Sequence, residues 1–321
     1  MGHTNLLSVK VIKKRLEATD IVSLELGRAD GGTLPAFSAG SHIDVRIKPD
    51  LIRQYSLCNH PEENHRYLIA VLRDPASLGG SVAIHDDIRE GDLISISEPK
   101  NHFPLVRARR SLLFAGGIGV TPLLSMAERL AHTGADFELH YCTRSPDRVA
   151  FRNRIAASDF ASHVEYHYDD GDEDQKLDLL HLLDVPDHST HLYVCGPTGF
   201  IDYVCKVAKD CGWRAENVHY EYFGAPALDT SGDTAFDVEL ASTGEIISIP
   251  PGQTVTNVLK RHGIDIDVAC QRGVCGTCVT RVLEGTPEHR DLYLTAEDKA
   301  KNDQFTPCCS RSRTPLLVLD L

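Results

Sequence analysis

No apolar stretch in the 321 residues approaches the roughly 20 needed to cross a bilayer. The opening segment, MGHTNLLSVKVIKKRLEATD, lacks the apolar core and small-residue cleavage site of a secretory signal. Positive charge is in deficit. Lys+Arg 33 against Asp+Glu 46 leave a net charge of −13, which argues against broad non-specific binding to nucleic acid or to anionic membrane. Internal repeats and low-complexity tracts are also missing. With 42% hydrophobic and 25% charged residues, the composition excludes collagen, disorder and a disulfide-stapled miniprotein. The length exceeds what one hydrophobic core usually organises, so two or three domains are expected. A cytoplasmic globular protein with neither membrane nor nucleic acid as partner is the expectation.

Cysteine, by contrast, is plentiful. Of the 10 cysteines, Cys270, Cys275, Cys278, Cys308 and Cys309 crowd toward the C-terminus. A reducing cytosol disfavours structural disulfides, and clusters there bind metal or do redox chemistry. The run CQRGVCGTC has the form C-x4-C-x2-C, and Cys308 follows far downstream. This is the plant-type [2Fe–2S] spacing. Gly273 and Gly276 allow the loop to aim backbone N–H groups at sulfur. Zinc is the rival, although zinc ribbons use paired C-x2-C hooks and only one such pair exists here. Cys308 and Cys309 compete for the fourth place. Neighbours on a strand point to opposite faces, so one of them reaches the cluster. The remaining cysteines have the default role of small buried hydrophobes.

Pattern divides the chain into three segments. Residues 1–106 read as short strands (Ser8–Lys13, Ile21–Leu26, His42–Ile47, Gln54–Leu57, Arg66–Leu72, Leu93–Ser97) with a short helix near Ser81. They predict a small antiparallel barrel. Residues 107–223 alternate apolar runs (Ser111–Ala115, Phe137–Cys142, His163–Tyr168, His191–Cys195) with helical segments, which predicts a parallel sheet covered on both faces. The acidity concentrates here, much of it in the run Asp169–Asp174, read as a solvated loop. Residues 224–235 are small, polar and breaker-rich and read as a linker. Residues 236–321 read as strands, a helix, the cysteine loop and further strands, an α+β domain.

Two turns stand out in the middle segment. Gly116-Gly117-Ile118-Gly119 follows an apolar strand and precedes a helix for which Thr121 is the expected N-cap and Pro122 the first residue. Such a turn offers N–H groups and a positive helix end to a phosphate. Cys195-Gly196-Pro197 ends another strand and starts another helix. Ligands bind beyond the C-terminal ends of parallel strands, so both turns are expected at one crevice. In the first segment, Arg53-Gln54-Tyr55-Ser56-Leu57 offers a cation, a ring and a hydroxyl, and Gly79-Gly80-Ser81 offers a second candidate phosphate cradle.

Together these motifs resemble the phthalate dioxygenase reductase family, within the wider ferredoxin–NADP reductase superfamily. The resemblance spans essentially the whole chain: RQYSL, IAVLRD with GGS, GGIGVTPLLSMA, CGP, EYF and CQRGVCGTC…HRD…CCSR, in that order. It implies a flavin barrel, a nucleotide domain and a β-grasp ferredoxin domain that bind FMN, NADH and a [2Fe–2S] cluster. By resemblance Arg53, Gly80 and Ser81 hold the FMN phosphate, and Tyr55, Ser56, Leu57, Ala70 and Val71 contact the flavin. Gly116, Gly117, Gly119, Thr121, Cys195, Gly196 and Pro197 bind NADH, and Phe223 lies on the flavin face. Cys270, Cys275, Cys278 and Cys308 hold the cluster. The family often has a lysine where this chain has Leu72, a lost cation for which Arg73 is the candidate substitute.

The implied function is that of an NADH-dependent reductase passing electrons to a terminal Rieske-type oxygenase, as a monomer in a transient complex. Nicotinamide gives two electrons at once and the cluster takes one, so flavin mediates. Ser56, Thr121 and Cys195 are then the catalytic-site residues that position nicotinamide against flavin, not nucleophiles. Arg144 and Arg148, after the Phe137–Cys142 strand, mark where a 2′-phosphate would bind if the coenzyme were NADPH. A reductase or diaphorase with a non-Rieske acceptor, and a redox-sensing iron–sulfur protein, are the alternatives.

Overall fold

The computed structural model describes residues 6–49, 51–75, 79–224 and 229–321. The chain divides into two compact units, Met1–Phe223 and Gly224–Leu321.

The first unit opens with β1 (Leu7–Ala18), β2 (Ile21–Arg28), β3 (His42–Lys48), β4 (Leu51–Ser56), β5 (Tyr67–Leu72), helix α1 (Gly80–Asp86) and β6 (Leu93–Ile96). Every strand expected from the first segment is present. They form an antiparallel sheet in the order β4-β3-β6-β1-β2-β5. Just past β4, the Cys58 N–H donates to Leu68 O at 2.9 Å, which draws the two edge strands together into a barrel. Alternate residues (Val9 and Val11, Leu24 and Leu26, Ile43 and Val45, Ile69 and Val71) fill the interior with Ile84 of α1.

Next come β7 (Arg110–Gly116), α2 (Val120–His132), β8 (Asp136–Thr143), α3 (Arg152–Ala156), β9 (Val164–Tyr168), α4 (Leu179–Leu183), β10 (Thr190–Gly196), α5 (Thr198–Asp210) and β11 (Val218–Tyr222). The strands run parallel in the order β11-β10-β7-β8-β9. Leu112, Phe114, Leu192 and Val194 face α4 and α5. Leu113, Leu139, Tyr141 and Tyr193 face α2, and this second core continues into Ile21, Cys58, Ala70 and Phe103 of the barrel segment. The first two segments therefore share one hydrophobic interior.

Thr121 is not the N-cap. A 3₁₀ turn over Gly117–Gly119 runs straight into α2, so Thr121 is already helical and its hydroxyl donates back to Ile118 O at 3.1 Å. Pro122 consequently sits third in the helix, and Ile118 O, the acceptor its missing N–H cannot serve, takes the Thr121 hydroxyl instead.

The second unit contains β12 (Phe236–Leu240), β13 (Ile246–Ile249), α6 (Val255–Arg261), β14 (Thr280–Glu284), β15 (Pro287–Glu288), α7 (Ala296–Lys301), β16 (Gln304–Phe305), β17 (Arg311–Ser312) and β18 (Leu316–Leu319). The main sheet, β13-β12-β18-β14-β16, pairs β12 with β18 in parallel. Val255, Val258 and Leu259 of α6 pack onto it, the β-grasp arrangement. The cysteine loop lies between α6 and β14. The expected linker is more ordered than its composition suggests. Residues 225–228 lie outside the described residues, but the Asp233 side chain is 2% exposed, held by Arg290 at 2.7 Å and Arg311 at 3.4 Å.

Candidate redox site

The two glycine turns of the nucleotide sheet form one block. Strands β7 and β10 are neighbours, with Ala115 paired to Cys195. A Cβ on Gly119 would lie 2.2 Å from Cys195 O, and one on Gly196 would lie 2.9 Å from Gly116 Cα. Only glycine lets the two backbones approach this closely. Pro197 stands at the N-cap position of α5. Gly116, Gly117, Gly119, Thr121, Cys195, Gly196 and Pro197 are thus brought together as expected.

On the barrel, Arg53, Tyr55 and Ser56 belong to β4, and Leu57 follows it; Ser56 and Leu57 are buried. Burial holds the Tyr55 phenol above its ordinary range, against the opposing pull of Arg53. Arg53 lies across the start of α1, where a Cβ on Gly80 would come 2.6 Å from its Cγ. That contact joins two motifs distant in sequence into a cationic cradle, next to Ser81, whose Oγ accepts from the Asp74 N–H at 3.2 Å. Ala70 and Val71 part company. Ala70 belongs to the core shared with Ala115, Val120 and Cys195, whereas Val71 points into the barrel interior. Successive strand residues face opposite ways, so both side chains cannot line one ring. Arg73, the candidate substitute for the missing lysine, forms a two-pronged pair with Asp86 at 2.5 and 3.0 Å.

Cys195 is fully buried, and desolvation followed by Glu221 pushes its thiol well up, so it carries its proton. Glu221 was not singled out from the sequence. It pairs with Cys195 across β10 and β11, and its Oε2 is sealed from solvent without a hydrogen-bond partner. Desolvation raises this carboxyl to about 8. The only sequence signal for it was an acid in the middle of the strand HYEYF. Phe223 is 40% exposed and belongs to none of the cores.

In the second unit, the cysteine loop draws its sulfurs together. Cys270 contacts Cys275 and Cys308, and Cys308 also contacts Cys278. Hydrogen bonds from Cys275 and Cys308, then N–H groups of Arg272 and Val274, pull the Cys270 thiol far below its ordinary range. The Arg272 N–H lies 3.3 Å from Cys270 Sγ. Gly273 and Gly276 both take positive φ, and a Cβ on Gly276 would lie 2.2 Å from the Tyr293 ring. Cys308 and Cys309 sit in a turn rather than on a strand. Cys308 faces the other ligand candidates, while Cys309 turns to Thr306 Oγ1 at 3.2 Å. None of the 10 cysteines is in a disulfide. Four converging sulfurs, with backbone donors aimed at one of them, are a donor set that fits an iron–sulfur cluster.

Among the described residues no helix is long and apolar enough to cross a membrane. Residues 238–313 match the 2Fe-2S iron-sulfur cluster binding domain family, and residues 113–206 match the oxidoreductase NAD-binding domain family. The chain is similar to vanillate O-demethylase oxidoreductase of Pseudomonas putida, 54% identical over 318 residues, 98% of this chain and 100% of the relative. It is 38% identical to phthalate dioxygenase reductase of Burkholderia cepacia over 317 residues, 98% and 97% of the two chains. It also resembles the solved phthalate dioxygenase reductase, described as a modular structure for electron transfer from pyridine nucleotides to [2Fe-2S]. There the TM-score is 0.78 at 37% identity, covering 99% of this chain and 98% of that one.

Proposed function

Starting from the chain's membership of the phthalate dioxygenase reductase family, we propose that it is the NADH-dependent reductase of a two-component Rieske-type oxygenase, passing electrons from NADH through FMN and [2Fe–2S] to the oxygenase. The greater likeness to the vanillate O-demethylase oxidoreductase favours an aromatic O-demethylase over a ring dioxygenase as partner. The observation that carries the reading is the pairing, in one chain, of fused nucleotide turns packed against a barrel strand with a four-sulfur loop in a separate unit. We assign 1–106 to the flavin, 107–223 to NADH and 236–321 to the cluster, with 224–235 between them. A cytoplasmic monomer that meets its oxygenase transiently completes the proposal.

Flavin bound in the barrel supplies the conversion between two-electron and one-electron transfer. Arg53, with the backbone of Gly80 and the Ser81 hydroxyl, neutralises its phosphate. Tyr55, Ser56, Leu57 and Ala70 pack against the ring, and Val71 contributes backbone only. Gly116, Gly117, Gly119 and Thr121 take the nucleotide, and Cys195, Gly196 and Pro197 border the nicotinamide. Cys195 keeps its proton and acts by shape, while Glu221 holds a proton at neutral pH and so places no charge beside the nicotinamide. Phe223 covers the flavin. Cys270, Cys275, Cys278 and Cys308 ligate the cluster.

Anaerobic titration of the purified chain with NADH, followed by visible absorption and EPR, tests the electron path. Flavin bleaching with a rhombic [2Fe–2S] signal is expected; bleaching with a silent cluster region would leave a simple flavin reductase. Removing the cluster should abolish transfer to a Rieske O-demethylase while dye reduction by NADH persists. Loss of both activities would count against the assignment.

A further inference from the structure

The face of the nucleotide sheet turned away from α2 carries a second group of ligand-type side chains. The parallel register of β8 and β9 pairs His140 with Glu165 and Cys142 with His167, which brings His140, Glu165 and His167 to one patch. One ligand atom from each lies within 4.8 Å of the others. His140 Nδ1 is 3.1 Å from His167 Nε2 and 3.6 Å from Glu165 Oε2. On its other side, His140 Nε2 faces Glu138 Oε2 at 3.6 Å, and Arg110 holds the second oxygen of Glu138. Phe114 stacks on His140 at 5.3 Å and 14°, which fixes the ring. His140 is 1% exposed, and its Nε2 is buried with no hydrogen-bond partner.

A hydrogen bond between the two imidazoles does not settle this arrangement. The His167 ring also hydrogen-bonds the backbone of Gln175 and Lys176. With one ring nitrogen committed there as donor, Nε2 presents a lone pair toward His140. His140 would then donate from Nδ1 and turn the lone pair of its buried, unpartnered Nε2 onto the Glu138 carboxylate, acceptor against acceptor. A cation between the rings resolves the conflict. Both facing nitrogens then offer lone pairs to the ion, and the His140 Nε2–H is directed at Glu138. A metal-bound histidine whose other N–H meets a carboxylate is the usual supporting arrangement of metal sites. Two nitrogens bound at about 2.0–2.1 Å in tetrahedral geometry sit about 3.3 Å apart, close to the separation here. Burial also keeps both rings below their ordinary pKa, in the neutral form that ligates.

We propose that His140, His167 and Glu165 bind one zinc-class divalent ion, with Glu138 orienting His140. The ion is structural: it ties edge strand β9 and the acidic segment beyond it to β8.

The test uses the full-length, iron-loaded chain, dialysed against EDTA and then equilibrated with zinc chloride. Zinc and iron per chain are counted together, and melting temperature is read with and without zinc. One zinc per chain at unchanged iron is expected, with a raised melting temperature. Glu165→Gln, at an exposed side chain where folding is not at risk, and His167→Gln should each weaken zinc binding at least tenfold and remove the rise in melting temperature. Dye reduction by NADH should be the same in all three proteins. Equal zinc uptake by both variants, uptake that tracks loss of iron, or no retained zinc would each overturn the proposal. Should His167→Gln fail to fold, Glu165→Gln decides alone.

Discussion

Replacing Asp233 with alanine should loosen the iron–sulfur unit selectively. Its Oδ1 accepts from Arg290 at 2.7 Å, its Oδ2 accepts from the Gly252 N–H at 3.0 Å, and Arg311 lies 3.4 Å away. A hydrogen bond to a charged group contributes about 1.5–3 kcal/mol. Arg290 keeps Glu288, and Arg311 keeps the carbonyls of Gln253, Thr234 and Pro250, so neither cation is stranded. The net loss should therefore be near the lower sum, about 3 kcal/mol. With a urea dependence of about 1.5 kcal/mol per molar, the midpoint falls by about 2 M. Burial works to raise the Asp233 pKa, but the Arg290 hydrogen bond and the other partners lower it overall. Its contribution is thus present above the ordinary carboxylate pKa and is lost as pH falls through the depressed folded value, an acid limb the alanine variant should lack. Urea unfolding followed at the iron–sulfur absorption, with flavin release recorded in parallel, reads both units. A midpoint shift below about 0.5 M would refute the reasoning, as would an equal shift in flavin release.

Cys308→Ser should lose the cluster iron while Cys309→Ser retains it, since only Cys308 contacts Cys270 and Cys278; iron analysis of the two purified variants decides. Gly119→Ala places a methyl 2.2 Å from Cys195 O and should prise the two turns apart. Overpacking of this kind costs about 1–3 kcal/mol, and the KM for NADH should rise at least tenfold at unaltered flavin content; an unchanged KM would sink the idea of fused turns. Glu221 titrates at about 8 when folded, above its unfolded value, so the wild type should lose stability as pH rises from about 4 toward 8. Glu221→Gln should flatten that slope, and parallel pH–stability curves for the two proteins would contradict it.

The cysteine loop was legible because its geometry is local. Three ligands lie within nine residues, and the covalent chain alone keeps them close. The existence of the strands was legible for a similar reason, since alternation and turn residues act within a few positions, although β1 runs on to Ala18 and β4 starts at Leu51. The convergence of the two glycine turns could be inferred from the rule that parallel strands end on one side, although the fit of Gly119 against Cys195 could not. What escaped depends on distant partners. Asp233 sits in a small polar stretch that reads as solvated, yet Arg290, 57 residues on, fixes it. Glu221 is unremarkable until β10 closes beside it. The fate of Arg73 turns on Asp86 in the next helix, and the His140–His167 pair exists only because β9 aligns with β8 in one register. Ala70 and Val71 are the opposite case: strand alternation already separated them, and family likeness had grouped them together.

The interior that Cys58, Ala70 and Phe103 share with Leu113, Leu123 and Tyr193 has a consequence for tempo. Side chains that stiffen the nucleotide sheet also clamp it to the barrel, so the surfaces that receive hydride donor and acceptor are set when the chain folds. The barrel and nucleotide surfaces of this unit are then held in register before any ligand arrives. Heating should accordingly melt the unit ending at Phe223 in a single cooperative calorimetric step, since the core that spans both segments opens when either of them does.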